Sequence, residues 1–492
     1  MLNRPSPGCS KPECAGHPYN FVQPPERYRE SAFGWPRTDT CAAKRSFTLH
    51  VKIAERAAQE EANSRHAQQQ AAGTGGHGEC ADSAVECGKE PEFPSAPGGL
   101  PNEWLDCLEA VRNVFSPWIT DCSEFEGDEW FEEQFSLALK DLDPQASTGL
   151  SVMSRYGSSI GDALGWDPVL AEYDPHRVEL LKQVTKARAR YPAEPDPILV
   201  FIKPEPHKSS KLESGRLRLI SAVSLVDTMV DRVMYGWLQR AVLGTIGRTP
   251  ALIGWSPYNG GYRLLTGTFY GQKALCVDKS SWDWTVQGWL ILMVRDLIDR
   301  LAVGAPNTWR EWHRARWRAL FCDAVFGFRS GERIKQPGWG VMKSGCYLTI
   351  LINSVCQVIL HELACSRLGI ERHWRQFFCV GDDTLQRCIE DLDAYFKELM
   401  RLGAVVKDYL ESDRLEFCGH VMKELFLAPV YDNKHIFRVL HTPYDRLPDV
   451  LEAYQWSYCM DEEMWIWLTK LLRSLAPGRV RSCCSARRML HG

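Results

Sequence analysis

The stretch that decides the reading is Phe377-Phe378-Cys379-Val380-Gly381-Asp382-Asp383-Thr384-Leu385. An apolar run, a Gly-Asp-Asp tip and a second short run make a hairpin pattern, because Gly and Asp are the residues that tight turns select. The same pattern also describes an ordinary turn. Two adjacent carboxylates between apolar strands repel each other, however, and a bound cation is the natural compensation.

Upstream of that tip, Ala274-Leu275-Cys276-Val277 reads as a short buried strand ending at Asp278. Asp283 follows where a helix begins, in Asp278-Lys279-Ser280-Ser281-Trp282-Asp283, and Leu290, Met293, Val294, Leu297 and Leu301 give that helix one apolar face. Taken alone, Asp283 is an acid in a first turn, where the helix dipole favours it, and Asp278 a strand-end residue. Between these acids and the hairpin lies Ser344-Gly345-Cys346-Tyr347-Leu348-Thr349-Ile350-Leu351-Ile352-Asn353-Ser354, a small flexible start running into a helix. Spacing by four puts Gly345, Thr349 and Asn353 on one face, which either points to solvent or offers hydroxyl and amide groups to a sugar and backbone.

Further upstream, Pro197 to Ile202 reads as a strand and Leu217 to Val223 as a second; between them run Lys203, Lys208, Lys211, Arg216 and Arg218. Such a run is commonly a solvated loop. Arg216 and Arg218 alternate with Leu217 and Leu219, though, a strand pattern that sets both guanidinium groups on one face and suits a triphosphate. Lys407, after a helical segment, reads equally as ordinary surface.

A chain of 492 residues suits two or three packed subdomains, here one α+β body without repeats. The net charge of -4 carries no overall basic signal, so any nucleic-acid surface must come from local clustering. The 18 cysteines are scattered and no secretory leader pattern is present, which suits reduced thiols; Cys9, Cys14, His17 and Cys41 lack a tight metal-binding pair. No apolar run is long enough to span a bilayer, and no P-loop occurs. Residues 1–100 read as a flexible or partly ordered arm: Ala54 to Ala72 is polar without an apolar stripe, and Gly73 to Gly76 and Pro94 to Pro101 are loop-like, so the folded body is expected from near Trp104. Val450 to Leu475 reads as helix carrying Trp456, Trp465, Trp467, Leu471 and Leu472, followed by a solvated basic tail with Arg479, Arg481, Arg487 and Arg488.

In chain order these signals become one: a basic stretch, D-x4-D, SG-x3-T-x3-N, Gly-Asp-Asp, a lysine, then Glu416-Phe417-Cys418-Gly419-His420. The series resembles that of positive-strand RNA virus RNA-dependent RNA polymerases. The wording is most similar to the sobemovirus and polerovirus (solemovirus) group, in Phe201-Ile202-Lys203-Pro204-Glu205-Pro206-His207, Arg216-Leu217-Arg218-Leu219-Ile220-Ser221, Asp283-Trp284 and Phe417-Cys418-Gly419-His420. The likeness covers roughly residues 197 to 425. It departs where the group usually has Ser-Gly-Phe before the second acid and this chain has Lys279-Ser280-Ser281-Trp282, and where the helix after Ser344 is greasier than usual.

The resemblance implies an α+β right-hand fold: an arm (1–100), fingers with the basic nucleotide-access stretch (101–273), a palm with a fingers insertion (274–425), and a small helical thumb with the basic tail (426–492). It implies RNA-templated nucleotidyl transfer from NTPs to an RNA 3′-hydroxyl, replicating a viral genome. Asp278 and Asp382, supported by Asp383, would hold Mg2+, with Mn2+ able to substitute; Asp283, Asn353 and Thr349 would meet the ribose, Ser344 and Gly345 the template-side loop, and Lys203, Arg216 and Arg218 the triphosphate. Lys407 matches the position of a general acid for pyrophosphate, and Ser147-Thr148-Gly149 a short template-side motif. Implied partners are RNA template and nascent RNA, NTPs, a genome-linked protein primer and other viral replication proteins, with peripheral membrane association in a host-cytoplasmic replication complex. A reverse transcriptase is disfavoured by Gly381, where an aromatic is usual, and by Asp283; a non-catalytic scaffold is disfavoured by the intact acids.

Overall fold

A computed structural model describes residues 23–28, 32–72, 102–190 and 195–492. Cys9, Cys14, His17 and the Gly73–Gly76 and Pro94–Pro101 segments lie outside these residues. The chain divides into two compact units, Trp35–Trp255 with Thr268–Cys418, and Met1–Gly34 with Ser256–Gly267 and Gly419–Gly492.

The larger unit is built on two four-stranded sheets. The first is antiparallel throughout, in the order Phe377–Val380, Asp383–Arg387, Ala274–Lys279, Val406–Ser412. Ala274–Lys279 is buried on both faces along most of its length, which is why its sequence is a continuous apolar run and not an alternating one. One face of this sheet packs on Thr349–Leu368, a predominantly apolar helix whose residues from Leu351 to Cys365 are all buried, Asn353, Gln357, His361 and Glu362 included. Gly369 closes it in the left-handed conformation, φ 65°. By length and composition this helix could cross a membrane, against the expectation that no apolar run is long enough, but 83% of its apolar window is buried inside the fold, where it serves as the core helix. Arg367, near its end, bonds Glu103 and Glu398 at 2.7 Å and so ties the Glu103–Val114 and Leu392–Arg401 helices to it.

The second sheet runs Leu219–Ala222, Ile198–Ile202, Val325–Gly327, Arg333–Lys335, with only the central pair parallel. The basic alternation Arg216-Leu217-Arg218 thus falls just before its edge strand, in the approach from Gly215, and not on a strand as expected. Behind the strands, Leu225–Leu243 starts at Ser224, whose Oγ accepts from Asp227 N at 3.1 Å. Its buried Asp231 receives two bonds from Arg316, at 2.6 and 2.9 Å, an ion pair inside the core that locks this helix to Asn307–Phe321.

The arm is where the fold departs most from expectation. Thr40–Ala72 is one helix, and Ala42, Ala43 and Phe47 sit in a core with Ile198, Val200, Ile202, Phe326 and Phe328. Ser46 Oγ donates to Leu217 O and accepts from Leu217 N, clipping the helix to the approach of the sheet. The apolar contacts run from Ala42 to Ala54, in a stretch too short to draw the eye as a stripe, while the sequence of the Ala54–Ala72 run is polar.

In the smaller unit, His420–Lys423 pairs with Phe426–Pro429, and the helical run expected over Val450 to Leu475 is two helices, Leu447–Ser457 and Glu462–Leu475. Asp461 caps the second by accepting from Met464 N at 3.1 Å. The basic tail is folded: Arg479 pairs with Asp449 and Glu452, and Cys483–His491 is a helix that buries Ala486 and Leu490.

Candidate active site

Val380 stands opposite Asp383, so Gly381 and Asp382 alone make the turn, with Gly381 at φ 65°. Asp383–Arg387 also pairs with Ala274–Lys279, Thr384 opposite Val277, and one step along that register Asp383 comes beside Asp278. Residues more than a hundred positions apart in sequence therefore meet at adjoining strand ends. Their electrostatics show it. Burial, then repulsion from Asp382 and Asp278, pushes the Asp383 carboxyl up to about 6. Burial raises Asp382 too, with Asp278 adding to it and Lys279 and Arg218 opposing.

Two lysines answer this charge from opposite sides. Lys407 Nζ donates to Asp278 Oδ2. It is brought there by a bulge in the register between Val406 and Asp408, the kind of irregularity that re-aims a side chain. Lys279 points to the other face of the strand, as the residue after Asp278 must. It is 6% exposed, beside a small cavity lined by Gln357, Gln386 and Tyr395. Burial brings its ammonium down to about 8, with Asp382, Asp383 and Asp278 holding it up. The motif reading missed this internal cation; the signal was the departure from Ser-Gly-Phe. Glu416, also raised by burial, adds a further acid within the field of Asp278 and Asp383.

Asp283 is held by Asn353, whose Nδ2 donates to Asp283 Oδ1 at 3.3 Å, while Trp282 Nε1 donates to Asn353 Oδ1 at 2.9 Å. Burial and then Asp382 push the Asp283 carboxyl up to about 6, with Asn353 and Arg218 opposing. The sequence reading had joined Asp283 to Asn353 but not to Trp282. The helix begins only at Thr349, and the Thr349 hydroxyl is spent on the Lys343 and Cys346 carbonyls at 2.5 and 2.8 Å, so the expected polar face of Gly345, Thr349 and Asn353 is not formed. Ser344 Oγ accepts from Ser221 N at 2.9 Å, and Gly345 N donates to Ser221 O at 3.1 Å. A side chain at Gly345 would bring its Cβ to 2.8 Å from that carbonyl, so both residues stitch their loop to the Leu219–Ala222 strand.

Arg218 and Lys203 converge on Glu205, at 2.9 and 3.4 Å. Arg216 parts from them and lines a pocket of about 530 Å³ with Lys52 and Arg56 of the Thr40–Ala72 helix, Ser280, Ser281 and Arg401. No acid lines it. Thr148 is buried, its hydroxyl bonded to Gly157 O, and Gly149 packs on Ser224.

Among the described residues, no three His, Cys, Asp or Glu side chains stand close enough to hold an ion as they are. The donor chemistry of Asp278, Asp382 and Asp383 nevertheless fits Mg2+: all are hard carboxylate oxygens, and the repulsion that raises Asp382 and Asp383 is what a divalent cation relieves.

Residues 177–442, over half of the chain, match the family model described as viral RNA-dependent RNA polymerase. The chain belongs to that family. The replicase polyprotein P2AB of Southern cowpea mosaic virus is 30% identical over 368 residues, 70% of this chain and 36% of that protein. Protein P1-P2 of potato leafroll virus (strain Potato/Netherlands/Wageningen/1989) is 31% identical over 285 residues, 53% of this chain and 25% of the relative. The RNA-directed RNA polymerase of mushroom bacilliform virus is 31% identical over 268 residues, 51% of this chain and 61% of the relative. The resemblance to positive-strand RNA virus polymerases of the sobemovirus and polerovirus group is thereby borne out. The chain spans about a third of the Southern cowpea mosaic virus polyprotein and a quarter of the potato leafroll virus protein.

Proposed function

We propose that the protein is an RNA-directed RNA polymerase that extends an RNA 3′-hydroxyl with NTPs on an RNA template, as the replicating enzyme of a viral genome. The observation that carries this is the meeting of Asp278, Asp382 and Asp383 at the ends of adjacent antiparallel strands, with Asn353-held Asp283 near them. The sheet that bears these acids is read as the palm, the second sheet with its basic approach as fingers, and the C-terminal helices as the thumb.

Asp278, Asp382 and Asp383 would hold Mg2+ or Mn2+. When bound, such ions stabilise the attacking and leaving oxygens of an in-line phosphoryl transfer. The chain's own residues supply the rest. Lys203 and Arg218, which converge on Glu205, neutralise the triphosphate and the charge that develops on it, while Arg216 serves its approach. The pocket lined by Arg216, Lys52 and Arg56, with no acid among the described residues that line it, is a second basic site that concentrates a polyanion. Asp283 accepts from the ribose 2′-hydroxyl, which a deoxyribose lacks. Lys407, held on Asp278, is the ammonium available to protonate the leaving pyrophosphate. Template and product RNA are gripped through phosphates and shape, and relatives named as replicase polyproteins point to further viral proteins as partners; a genome-linked primer and a membrane-associated complex in the host cytoplasm belong to this proposal through the family resemblance alone.

Replacing Asp382 by Asn removes one carboxylate charge and keeps the turn. The variant should fold with an unchanged circular dichroism spectrum and lose RNA-templated incorporation by at least about a thousandfold; activity near that of the wild type would overturn the assignment.

A further inference from the structure

We propose that Trp282-Asp283-Trp284 is a clamp for sugar selection, in which both indoles are positioning residues for Asp283 and the N-terminal helix is the outer jaw. This rests on the polymerase reading. The first half follows from hydrogen-bond chemistry. An indole N–H is only ever a donor, so the Asn353 atom facing Trp282 Nε1 at 2.9 Å must be the carbonyl oxygen. The amide NH2 is then committed to the other side, where it meets Asp283 Oδ1 at 3.3 Å. Trp282 is 3% exposed and Asn353 5%, so water does not compete for this choice. Without the indole donor, the amide is free to turn its oxygen toward the carboxylate, which repels it. With the donor present, one Asp283 oxygen is engaged and Oδ2 is left to accept from a hydroxyl.

The second half concerns where Asp283 is held. Its own carbonyl accepts from Met342 N at 2.7 Å. The next ring, Trp284, lies against Phe47 at 5.7 Å and His50 at 4.9 Å between ring centroids, both on the Thr40–Ala72 helix. Phe47 in turn meets Phe326 at 5.0 Å and Phe328 at 5.4 Å, so the jaw is anchored on the second sheet. A segment with one side chain tied to Asn353 and another seated under a docked helix cannot slide along its axis. The acceptor for the 2′-hydroxyl is thus fixed from two directions, and the N-terminal helix acquires a role in choosing the substrate.

The test is primer extension by the full chain with Mg2+ on an RNA template, measuring kcat/KM for each rNTP and its dNTP. Trp282→Phe keeps an aromatic ring, smaller than the indole, and deletes the donor; the rNTP over dNTP preference should fall about tenfold, the worth of one orienting hydrogen bond. His50→Ala should lower it about threefold, on the scale of one exposed-edge aromatic contact. Thermal unfolding accompanies both. A folded Trp282→Phe protein with an unchanged ratio overturns the clamp; should that variant not fold, an unchanged ratio in His50→Ala overturns it. A loss of stability alone would lower use of both nucleotides equally and leave the ratio where it was. A wild-type protein without RNA-templated incorporation overturns the polymerase reading itself and takes the clamp with it, a result distinct from activity with an unmoved ratio.

Discussion

Phe47→Ala tests whether the N-terminal helix belongs to the catalytic body. Phe47 is 1% exposed, with three aromatic rings 5.0 to 5.7 Å away, all in edge-on arrangements. Truncating such a side chain to Ala removes roughly 3 to 5 kcal/mol of packing. Ser46 to Leu217 remains, two hydrogen bonds at 3.1 and 3.0 Å worth about 1 kcal/mol each, together with the partly exposed Lys44–Glu332 ion pair, the His50–Trp284 contact and the small side chains of Ala42 and Ala43. The helix has little of its own to fall back on, since beyond Ala54 its sequence is polar and an undocked helix is marginal in water. The expected outcome is therefore local: hydrogen exchange across residues 40–57 should speed up by at least about a hundredfold, while the Thr349–Leu368 core helix keeps its protection. Because Lys52 and Arg56 leave with the helix, the KM for NTPs should rise about fivefold, the effect of two exposed charges of about 0.5 kcal/mol each. Unchanged protection over residues 40–57 would refute the docking, and unchanged KM with lost protection would refute the role of the helix in the basic pocket.

Replacing Lys52 and Arg56 together by Glu should raise KM for all four NTPs alike with kcat little changed; a selective effect on one base, or none, would remove this pocket from nucleotide capture. Asp231→Ala takes from buried Arg316 its two short hydrogen bonds and leaves it only Asp227, at 3.6 Å, so unfolding by urea should show a loss of roughly 3 kcal/mol, whereas Asp231→Leu with Arg316→Met should recover most of it. His361 is buried with both ring nitrogens engaged, at 2.9 Å to Tyr395 and 2.7 Å to the Arg372 carbonyl, and burial brings its imidazole down to about 4 from the ordinary 6.5. The unfolded chain thus binds the proton more readily, and the contribution of His361 to stability is complete above the ordinary value and lost as pH falls toward 4, up to roughly 3 kcal/mol. A His361→Gln protein should show a flatter decline of unfolding free energy between pH 6.5 and 4; an identical slope would refute it.

What sequence could show of this site was its chemistry in chain order; what it could not show was the third dimension. The Gly-Asp-Asp hairpin and the strand before Asp278 are local patterns, and both formed within a residue or two of where they were read. Asn353 was legible as a partner for Asp283 through the family pattern, but Thr349 was not separable from it, because helical spacing assumes the helix has begun and it starts only at Thr349. Arg216 and Arg218 alternate in sequence yet serve different places, since the strand begins one residue after Arg218. The docked helix was hidden because its contact rests on buried Ala42, Ala43 and Phe47 with partly buried Val51 and Ala54, too few and too small to outweigh the polar run after them. Lys279 and Trp282 stood inside a quoted motif and still went unread: burial of a lysine beneath a sheet and the direction of an indole N–H are facts of packing, not of spacing.

The most direct measurement is RNA-templated incorporation of labelled NTPs as a function of Mg2+, for the wild type and for Asp278→Asn. The wild type should be silent in chelator, saturate as the ion is restored, and produce template-length RNA. Asp278→Asn should remain at background at every Mg2+ concentration with its fold intact. Incorporation by the wild type in chelator, or an Asp278→Asn protein that matches it in Mg2+, would contradict the carboxylate account.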